Sequence, residues 1–225
     1  MAIKPILFNT EMVRAILVGR KSCTRRLVKP QPDEKHTYPL GFVTDSTEKK
    51  EVGCFGFGID EYGGSIQYVK PPYQPGDFLY VRETWCLRYD GEKYFYKADK
   101  NTPREEKRLI DYNNTSWHPS IHMPKEAARI WLRVTDVRVE RLQEITEEQA
   151  CMEGTDPWDE VWYENNGWHP TFSDPDSGGA PNMVDGFHKL WNSTIKKSDL
   201  DRYGWDANPY VWVISFERCE KPEGV

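Results

Sequence analysis

A short basic stretch near the start of the chain holds the residues best suited to chemistry. Positions 20 to 29 contain five basic residues and no acidic one: Arg20, Lys21, Arg25, Arg26 and Lys29. Such a cluster favours an anionic or phosphate-bearing ligand. Lys21 and Thr24 lie three positions apart, and a lysine whose pKa is lowered by neighbouring cations can act as a base toward a hydroxyl. The alternative is a solvated loop whose charges pair with nearby acids.

A second candidate group lies in the segment Val-Arg-Glu-Thr-Trp at 81–85. Glu83 falls in a predicted buried strand, where a carboxylate needs a partner that Arg26 or Arg82 can provide. Trp85 either stacks a base or packs in the core. Cys23, beside Lys21, is a candidate for a lowered thiol pKa.

Several common active-site patterns are missing from the sequence. There is no Walker loop, no G-x-G-x-x-G and no serine-hydrolase elbow. Cysteines and histidines do not cluster at metal-ligand spacing. We therefore predict neither a metal nor a cofactor.

Composition narrows the class of protein further. The chain has 225 residues and a formal charge of −6, which argues against a protein that coats DNA by neutralising many phosphates. No apolar run approaches the ~20 residues that span a bilayer, so no membrane partner is expected. Five cysteines without a CxxC pair suggest reduced thiols and a cytoplasmic location. The 9 Trp, 12 Tyr and 9 Phe are either core or platforms for flat ligands.

The elements that must position these residues can be predicted from periodicity and capping signals. Helices are expected at 9–18, at 146–154 and at 184–195. Strands are expected at 78–85, 94–96, 128–142 with a bend near Asp136, and 209–216. Residues 36–72 and 155–183 are predicted insertions, the first of short strands and turns. This order indicates a single α+β domain over 1–225, a mixed β-barrel with flanking helices.

Residues 19–26, Gly-Arg-Lys-Ser-Cys-Thr-Arg-Arg, match the G-x-K-x-x-x-x-R pattern of ASCH domains, a branch of the PUA-like superfamily. The preceding helix, the Pro-Gly-Asp turn at 75–77 and the closing strand also follow the order of that family. More specifically, the chain resembles ASCH proteins that phages and prophages often encode, which carry similar forms of the segments at 5–8, 81–85, 119–124 and 205–209. This resemblance implies a PUA-like mixed β-barrel and, for a phage-encoded chain, the host cytoplasm.

Some small bacterial ASCH proteins are amidohydrolases that deacetylate N4-acetylcytidine with a Lys, a Thr and a Glu. Their K-x-x-T-x-R segment corresponds to Lys21, Thr24 and Arg26. Their glutamate lies in a short helix that resembles residues 145–153, which places it at Glu153, followed by Gly154. The present chain is much longer than those minimal enzymes, and its extra segments could reshape the pocket.

The resemblance implies two workable mechanisms. In one, Thr24 is the nucleophile, Lys21 is its base, and Glu153 relays a proton or positions water. In the other, Glu153 activates water and Lys21 stabilises the oxyanion. Arg26 would orient the substrate or steady Glu153. The further residues expected to bind substrate are Arg20, Arg25, Glu83 and Trp85.

Two other functions compete with catalysis on a modified nucleoside. One is a non-catalytic module that binds single-stranded RNA or a modified base, because PUA-like barrels often grip nucleic acid beside the first helix and stacking suffices for affinity. The other is a phage accessory protein that binds a host protein. For that role the aromatic residues at 158–168 in a polar segment would form the interface.

Overall fold

A computed structural model of the chain describes residues 1–87, 94–99, 117–155 and 183–224. The strands are β1 (Ile3–Leu7), β2 (Cys23–Leu27), β3 (Tyr38–Phe42), β4 (Phe55–Gly58), β5 (Ile66–Val69), β6 (Phe78–Arg82), β7 (Trp85–Leu87), β8 (Tyr94–Tyr96), β9 (Trp131–Arg141) and β10 (Tyr210–Cys219). The α-helices are α1 (Thr10–Leu17), α2 (Glu147–Met152), α3 (Met183–Thr194) and α4 (Leu200–Tyr203). Single 3-10 turns lie at Ser120–His122, Lys125–Ala127, Leu142–Glu144 and Lys197–Asp199.

The main sheet separates two hydrophobic clusters. Its strand order is β1-β6-β9-β10-β2, with β1 and β6 parallel and the other pairs antiparallel. Successive side chains of a strand point to opposite faces. Along β10, Trp212, Ile214 and Phe216 therefore join the larger core, while Val211 and Val213 pack under α2 and α3. The side chains of β2 likewise alternate between the face toward the larger core and the face toward α2 and α3. This alternation decides on which face each predicted site residue of β2 lies.

The sheet is open in the described strands, which corrects the prediction of a β-barrel. β1 and β2 are its two edges, and no ladder joins them there. The side chain of Arg26 spans the gap, because its Nη2 donates to the carbonyl of Leu7 at 2.9 Å. The mixed α and β content agrees with the predicted α+β class.

The predicted insertion at 36–72 folds as a three-stranded antiparallel sheet, β3-β4-β5. Phe55 and Phe57 of β4 are buried and belong to the larger core. Their rings lie 6.2 Å from Trp212 and 4.8 Å from Tyr210, respectively. The segment therefore contributes core side chains as well as surface turns. Almost all of the other predicted insertion, 155–183, lies outside the described residues, as do its aromatic residues at 158–168.

The predicted helix signals are confirmed. The Asn9 side chain accepts from the Met12 N–H at 2.8 Å, and α1 is followed by Gly19 at φ +79°. Thr146 caps α2 in a reciprocal pair with Gln149. The predicted bend in β9 is also confirmed, because its register with β10 shifts between Ser215 and Phe216, opposite Asp136 and Val134.

One predicted loop and one predicted strand boundary are wrong. Residues 23–27 form β2 and pair with β10, although their charges suggested a loop. The strand predicted at 78–85 ends at Arg82, and Glu83 and Thr84 separate it from β7. No described helix is long and apolar enough to cross a membrane. All five cysteines lie in the described part of the chain, and none of them forms a disulfide.

Asp77 ties the first strand to the turn before β6 and supplies a pH-dependent share of the stability. The buried carboxylate accepts from Lys4 Nζ at 2.8 Å, from Ala2 N at 2.9 Å and from Gln74 N at 3.1 Å. Burial alone would raise the pKa of Asp77, but these hydrogen bonds outweigh it and hold the pKa below its ordinary value. The bonds are therefore made by the ionised form at neutral pH.

Replacing Asp77 with Asn is expected to lower the free energy of unfolding at pH 7 by about 1–3 kcal/mol. A group with a depressed folded-state pKa contributes stability above its unfolded pKa, and that stability is lost as the pH falls through the folded value. The difference between parent and Asp77→Asn should accordingly shrink below about pH 4. Urea unfolding at pH 7, 5, 4 and 3 measures it, and a difference that is constant over this range would contradict the assignment.

Candidate functional site

Lys21 is a buried ammonium whose three N–H bonds are all used. Its side chain is fully enclosed, and Nζ donates to the Cys23 carbonyl, the Glu153 carbonyl and Glu153 Oε2, each at 2.8 Å. The turn after α1 sets this position, because the N–H groups of Arg20 and Lys21 both bond the Ala15 carbonyl. Three acceptors satisfy the donor capacity of an ammonium group. Lys21 is therefore held in its charged form in this arrangement.

Glu153 reaches Lys21 because α2 ends at this residue. Its backbone N–H caps the helix by bonding the Gln149 and Ala150 carbonyls. Gly154 follows at φ +91°, a left-handed conformation that favours glycine. A Cβ on Gly154 would lie 2.8 Å from the Ala15 Cβ and 3.2 Å from the Lys21 Cβ. The glycine thus lets α2 approach α1 closely enough to form the Lys21–Glu153 pair.

Arg25, not Arg26, is the arginine that binds Glu153. It lies on the face of β2 under α2 and α3, with its side chain buried. Nη1 contacts Glu153 Oε1 at 3.3 Å, and Nη2 contacts Gln149 Oε1 at 2.7 Å and Glu140 Oε2 at 3.1 Å. The guanidinium of Arg25 is thus enclosed and bound to protein groups, and its role in binding substrate stays a prediction.

These contacts show that part of the positive charge of the basic stretch at 20–29 is paired inside the protein. Two of its five cations, Lys21 and Arg25, are neutralised internally by Glu153 and Glu140. The alternative of a stretch whose charges pair with nearby acids is thus correct for these two. Glu140 and Gln149 were not among the predicted site residues. Glu140 stands opposite Val211 in the β9–β10 ladder, a non-local placement that no motif signals, whereas Gln149 was predicted only as part of a helix.

Thr24 and Arg26 lie on the opposite face of β2 from Arg25. Their partners across the ladder are Ile214 and Trp212, both in the larger core. Thr24 is buried, and its hydroxyl makes no hydrogen bond within the described part of the chain. Lys21 Nζ is nevertheless close in the chain, because the Cys23 carbonyl that it binds belongs to the peptide bond between Cys23 and Thr24. Thr24 thus combines burial with an uncommitted hydroxyl.

Phe8 links Lys21 to Arg26. Lys21 Nζ is 5.4 Å and the Arg26 guanidinium carbon 5.5 Å from the centre of its ring. Cations at this distance from an aromatic face are attracted to it. Arg26 makes no hydrogen bond to Glu153 in the described structure, and the arginine that hydrogen-bonds this carboxylate is Arg25. The predicted roles of Arg26, orienting the substrate or steadying Glu153, stay predictions. Arg20, in the turn after α1, donates to the carbonyl of Gly154, which follows α2, at 3.2 Å.

Cys23 is not an activated thiol. Burial raises the pKa of the Cys23 thiol to about 12, and the nearby Glu153 carboxylate raises it as well. Lys21 and Arg25 lower this pKa, but their effect is smaller. Cys23 Sγ faces the Gln149 carbonyl at 4.0 Å. The prediction of a lowered pKa at Cys23 is therefore wrong, because desolvation outweighs the cations.

Glu83 and Trp85 belong to a separate cluster. Glu83 forms a two-pronged ion pair with Arg129 at 2.9 and 3.0 Å, so neither Arg26 nor Arg82 is its partner. Burial raises the pKa of Glu83, and this effect outweighs the lowering of that pKa by Arg129. Trp85 packs against His118 with ring centres 4.9 Å apart. No hydrogen bond or ion pair joins Glu83 or Trp85 to Lys21, Thr24 or Glu153 among the described residues. The described residues also contain no group of three or more His, Cys, Asp or Glu arranged to hold a metal.

Comparison with known proteins finds a similarity to one solved structure. No family model matches the chain, and no curated protein matches it. Among solved structures, the chain is similar to a crystal structure of an ASCH domain from Lactobacillus crispatus JV V101. The two share 11% identity, with a TM-score of 0.35, over 96% of this chain and 79% of that one. This degree of likeness does not establish the family.

Proposed function

We propose that the chain is an ASCH protein of the PUA-like superfamily that hydrolyses an amide bond on an acylated or modified nucleoside of the N4-acetylcytidine type. The observation that carries the proposal is the buried contact of Lys21 Nζ with Glu153 Oε2 at 2.8 Å. The two residues are 132 positions apart, and the resemblance to ASCH amidohydrolases selects both of them. Thr24, the third residue of that set, follows Cys23, whose carbonyl binds Lys21 Nζ, and its hydroxyl makes no hydrogen bond in the described part of the chain.

The contact favours a mechanism in which Glu153 regulates the proton on Lys21. In the resting site Lys21 is charged and has no lone pair, so it can become a base only by passing a proton to Glu153. Burial makes such a transfer less costly, because it replaces two enclosed charges with two neutral groups. Neutral Lys21 then takes the Thr24 proton as Thr24 Oγ1 attacks the amide carbonyl. The leaving amine receives a proton from Lys21, water hydrolyses the acyl-threonine, and the initial protonation is restored.

Arg25 serves this site as a positioning residue. It binds the Glu153 oxygen that Lys21 does not, and Gln149 and Glu140 fix its guanidinium in turn. The carboxylate therefore presents Oε2 to Lys21 in one orientation, and correct orientation is a large part of catalytic efficiency. The predicted chemistry at Glu153 thus depends on side chains that never touch the substrate.

Replacing Thr24 with Val tests the proposed function. The change keeps the shape of the side chain and removes the hydroxyl, so hydrolysis of N4-acetylcytidine should fall by at least about 10³-fold while the protein stays folded. Thr24→Ser retains a hydroxyl and is the matched control, expected to keep measurable turnover. Lys21→Met, in which Glu153 still has Arg25 as a partner, should also lose turnover. Chromatography of a panel of acylated nucleosides gives the rates, and a Thr24→Val protein as active as the parent would exclude this mechanism.

A second candidate is a non-catalytic module that binds RNA or a modified base, favoured by the complete use of the Lys21 donors. A lysine held by three protein acceptors can serve as a structural cation that joins the ends of α1 and α2 without taking part in chemistry. Titration of the parent with single-stranded RNA and with free modified nucleosides separates the two candidates. Binding without turnover of any amide in the panel would support the module, whereas turnover that Thr24→Val abolishes would support the hydrolase. The predicted host-protein surface at 158–168 lies outside the described residues.

A further inference from the structure

A chain of hydrogen bonds from a serine through a histidine to an aspartate lies in and beside the β3-β4-β5 sheet, apart from the site above. Ser65 Oγ is 3.0 Å from His36 Nε2, and His36 Nδ1 is 2.8 Å from Asp33 Oδ1. The three residues come from two segments that are 29 positions apart. This is the connectivity by which a serine is activated for attack, with one ring nitrogen facing the hydroxyl and the other facing the carboxylate.

The hydrogen bonds select a single useful tautomer of His36. A carboxylate only accepts, so the proton of a neutral imidazole lies on Nδ1, and Nε2 presents its lone pair to the Ser65 hydroxyl. The hydrogen bond from the His36 ring lowers the pKa of Asp33, which keeps the carboxylate ionised. His36 is therefore oriented as a base toward Ser65.

The backbone fixes both ends of this hydrogen-bonded chain. Asp33 Oδ1 also accepts from the N–H groups of Lys35 and His36 at 2.9 and 3.0 Å, and the N–H of Asp33 bonds Gln67 of β5 at 3.1 Å. The His36 side chain is only 16% exposed, against 61% for Asp33. The imidazole is thus held between a tight turn and the strand that follows Ser65.

The turn before Ser65 supplies donors for a developing negative charge. Gly63 and Gly64 have φ of +92° and +54°, so the chain reverses sharply into Ser65. Within the described chain, the N–H groups of Gly64 and Ser65 have no protein acceptor. Ile59, 51% exposed, places its Cδ1 3.8 Å from where a Cβ on Gly64 would lie, and thus offers an apolar contact for a short acyl chain.

We propose that Ser65, His36 and Asp33 form a second hydrolytic site, which acts on small carboxylic esters with a short acyl chain. Ser65 Oγ attacks the ester carbonyl while His36 Nε2 takes its proton, and the Gly64 and Ser65 N–H groups stabilise the oxyanion. The C–O bond to the alcohol breaks as His36 returns the proton to the leaving oxygen. Water then attacks the acyl-serine, with His36 as base, and releases the carboxylic acid and free Ser65.

A fluorophosphonate probe tests the proposal directly, because it modifies only an activated serine. Mass spectrometry of the full-length protein after treatment should find the adduct on Ser65 and not on Ser46. Ser46 is the matched control, since its hydroxyl bonds the Glu51 carboxylate at 2.9 Å and has no histidine. Labelling of Ser65 should fall at least about 100-fold in His36→Ala and by a smaller factor in Asp33→Asn.

Hydrolysis of p-nitrophenyl acetate provides the second measurement. In a Thr24→Val background, in which the proposed nucleoside site has lost its nucleophile, Ser65→Ala should lose the catalysed rate and Ser46→Ala should keep it, so this site succeeds or fails independently of the nucleoside hydrolase. A rate that survives Ser65→Ala in that background would mean that another group attacks the ester and would overturn the proposal. Labelling of Ser65 no faster than that of Ser46, or equal labelling in His36→Ala, would overturn it as well.

Discussion

Replacement of Glu153 with Ala is expected to lower the free energy of unfolding by about 3–5 kcal/mol, because it leaves two buried cations without their shared carboxylate. Lys21 loses one of its three acceptors, and Arg25 loses the partner of its Nη1. Removing one member of a buried ion pair costs much more than the pair contributes, since the remaining charge stays desolvated. The substituted protein should also lose amide hydrolysis completely, for the proton on Lys21 has no acceptor to move to.

Glu140→Ala is the matched control for this change. Glu140 also contacts Arg25, but the side chain of Glu140 is 17% exposed. When Glu140 is replaced, Arg25 still has Glu153 and Gln149 as partners. The loss of Glu140 should cost about 1 kcal/mol, in the range of partly solvated pairs. Urea unfolding of parent, Glu153→Ala and Glu140→Ala at pH 7 gives both differences. Equal losses in the two variants would show that Glu153 is not the centre of a buried charge cluster.

Replacement of Gly154 with Ala is expected to lower the free energy of unfolding by about 2–6 kcal/mol, the second large effect. The left-handed backbone at φ +91° contributes about 1–3 kcal/mol of this for a residue with a Cβ. The contact at 2.8 Å with the Ala15 Cβ adds about 1–3 kcal/mol of overpacking. Because the preceding residue is Glu153, the forced shift should also lengthen its contact with Lys21 and reduce hydrolysis.

Gly19→Ala separates these two contributions. Gly19 has a similar φ of +79°, but a Cβ added there would meet nothing within 4 Å. Its replacement should therefore show the backbone cost alone, about 1–3 kcal/mol, with unchanged hydrolysis. Thermal or urea unfolding of the two alanine variants measures the difference. If Gly154→Ala cost no more than Gly19→Ala, the close approach of α1 and α2 would not constrain the site.

The parts of the fold that local signals encode were predictable from sequence. The cap at Asn9, the stop at Gly19 and the capping pair of Thr146 and Gln149 depend on residues within four positions of one another. The strand Cys23–Leu27 was missed because its stability comes from pairing with β10, almost two hundred residues later in the chain. Charged side chains hid its alternation, since the buried position between Cys23 and Leu27 is held by Arg25, which pairs with Glu153 and Glu140.

In the candidate site, too, sequence signals identified some residues, whereas the contacts between them depend on tertiary placement. The resemblance selected Lys21 and Glu153, and the structure brings them into contact, but its motif ends at Arg26, whereas Arg25 is the arginine that binds Glu153. That choice follows from which face of β2 each occupies, and hence from the register with Val213 and Trp212. Glu83 was assigned the wrong partner for a similar reason, because Arg129 comes close to it only through tertiary packing. Ser65, His36 and Asp33 escaped notice, since they match no known sequence pattern and meet only when the β3-β4-β5 sheet forms.

The enclosure of Lys21 and Arg25 has a consequence for counterions. A cation whose partner is a carboxylate of the same protein holds no mobile anion, so it has none to release when a polyanion binds. Of the five basic side chains between positions 20 and 29, at most Arg20, Arg26 and Lys29 can exchange ions with the solvent. A single strand bound over this stretch would release about 0.7 of an ion per phosphate contact, so its affinity would fall with salt with a logarithmic slope no steeper than about −2. Recognition here would therefore depend on the shape of one nucleoside more than on the charge of a strand.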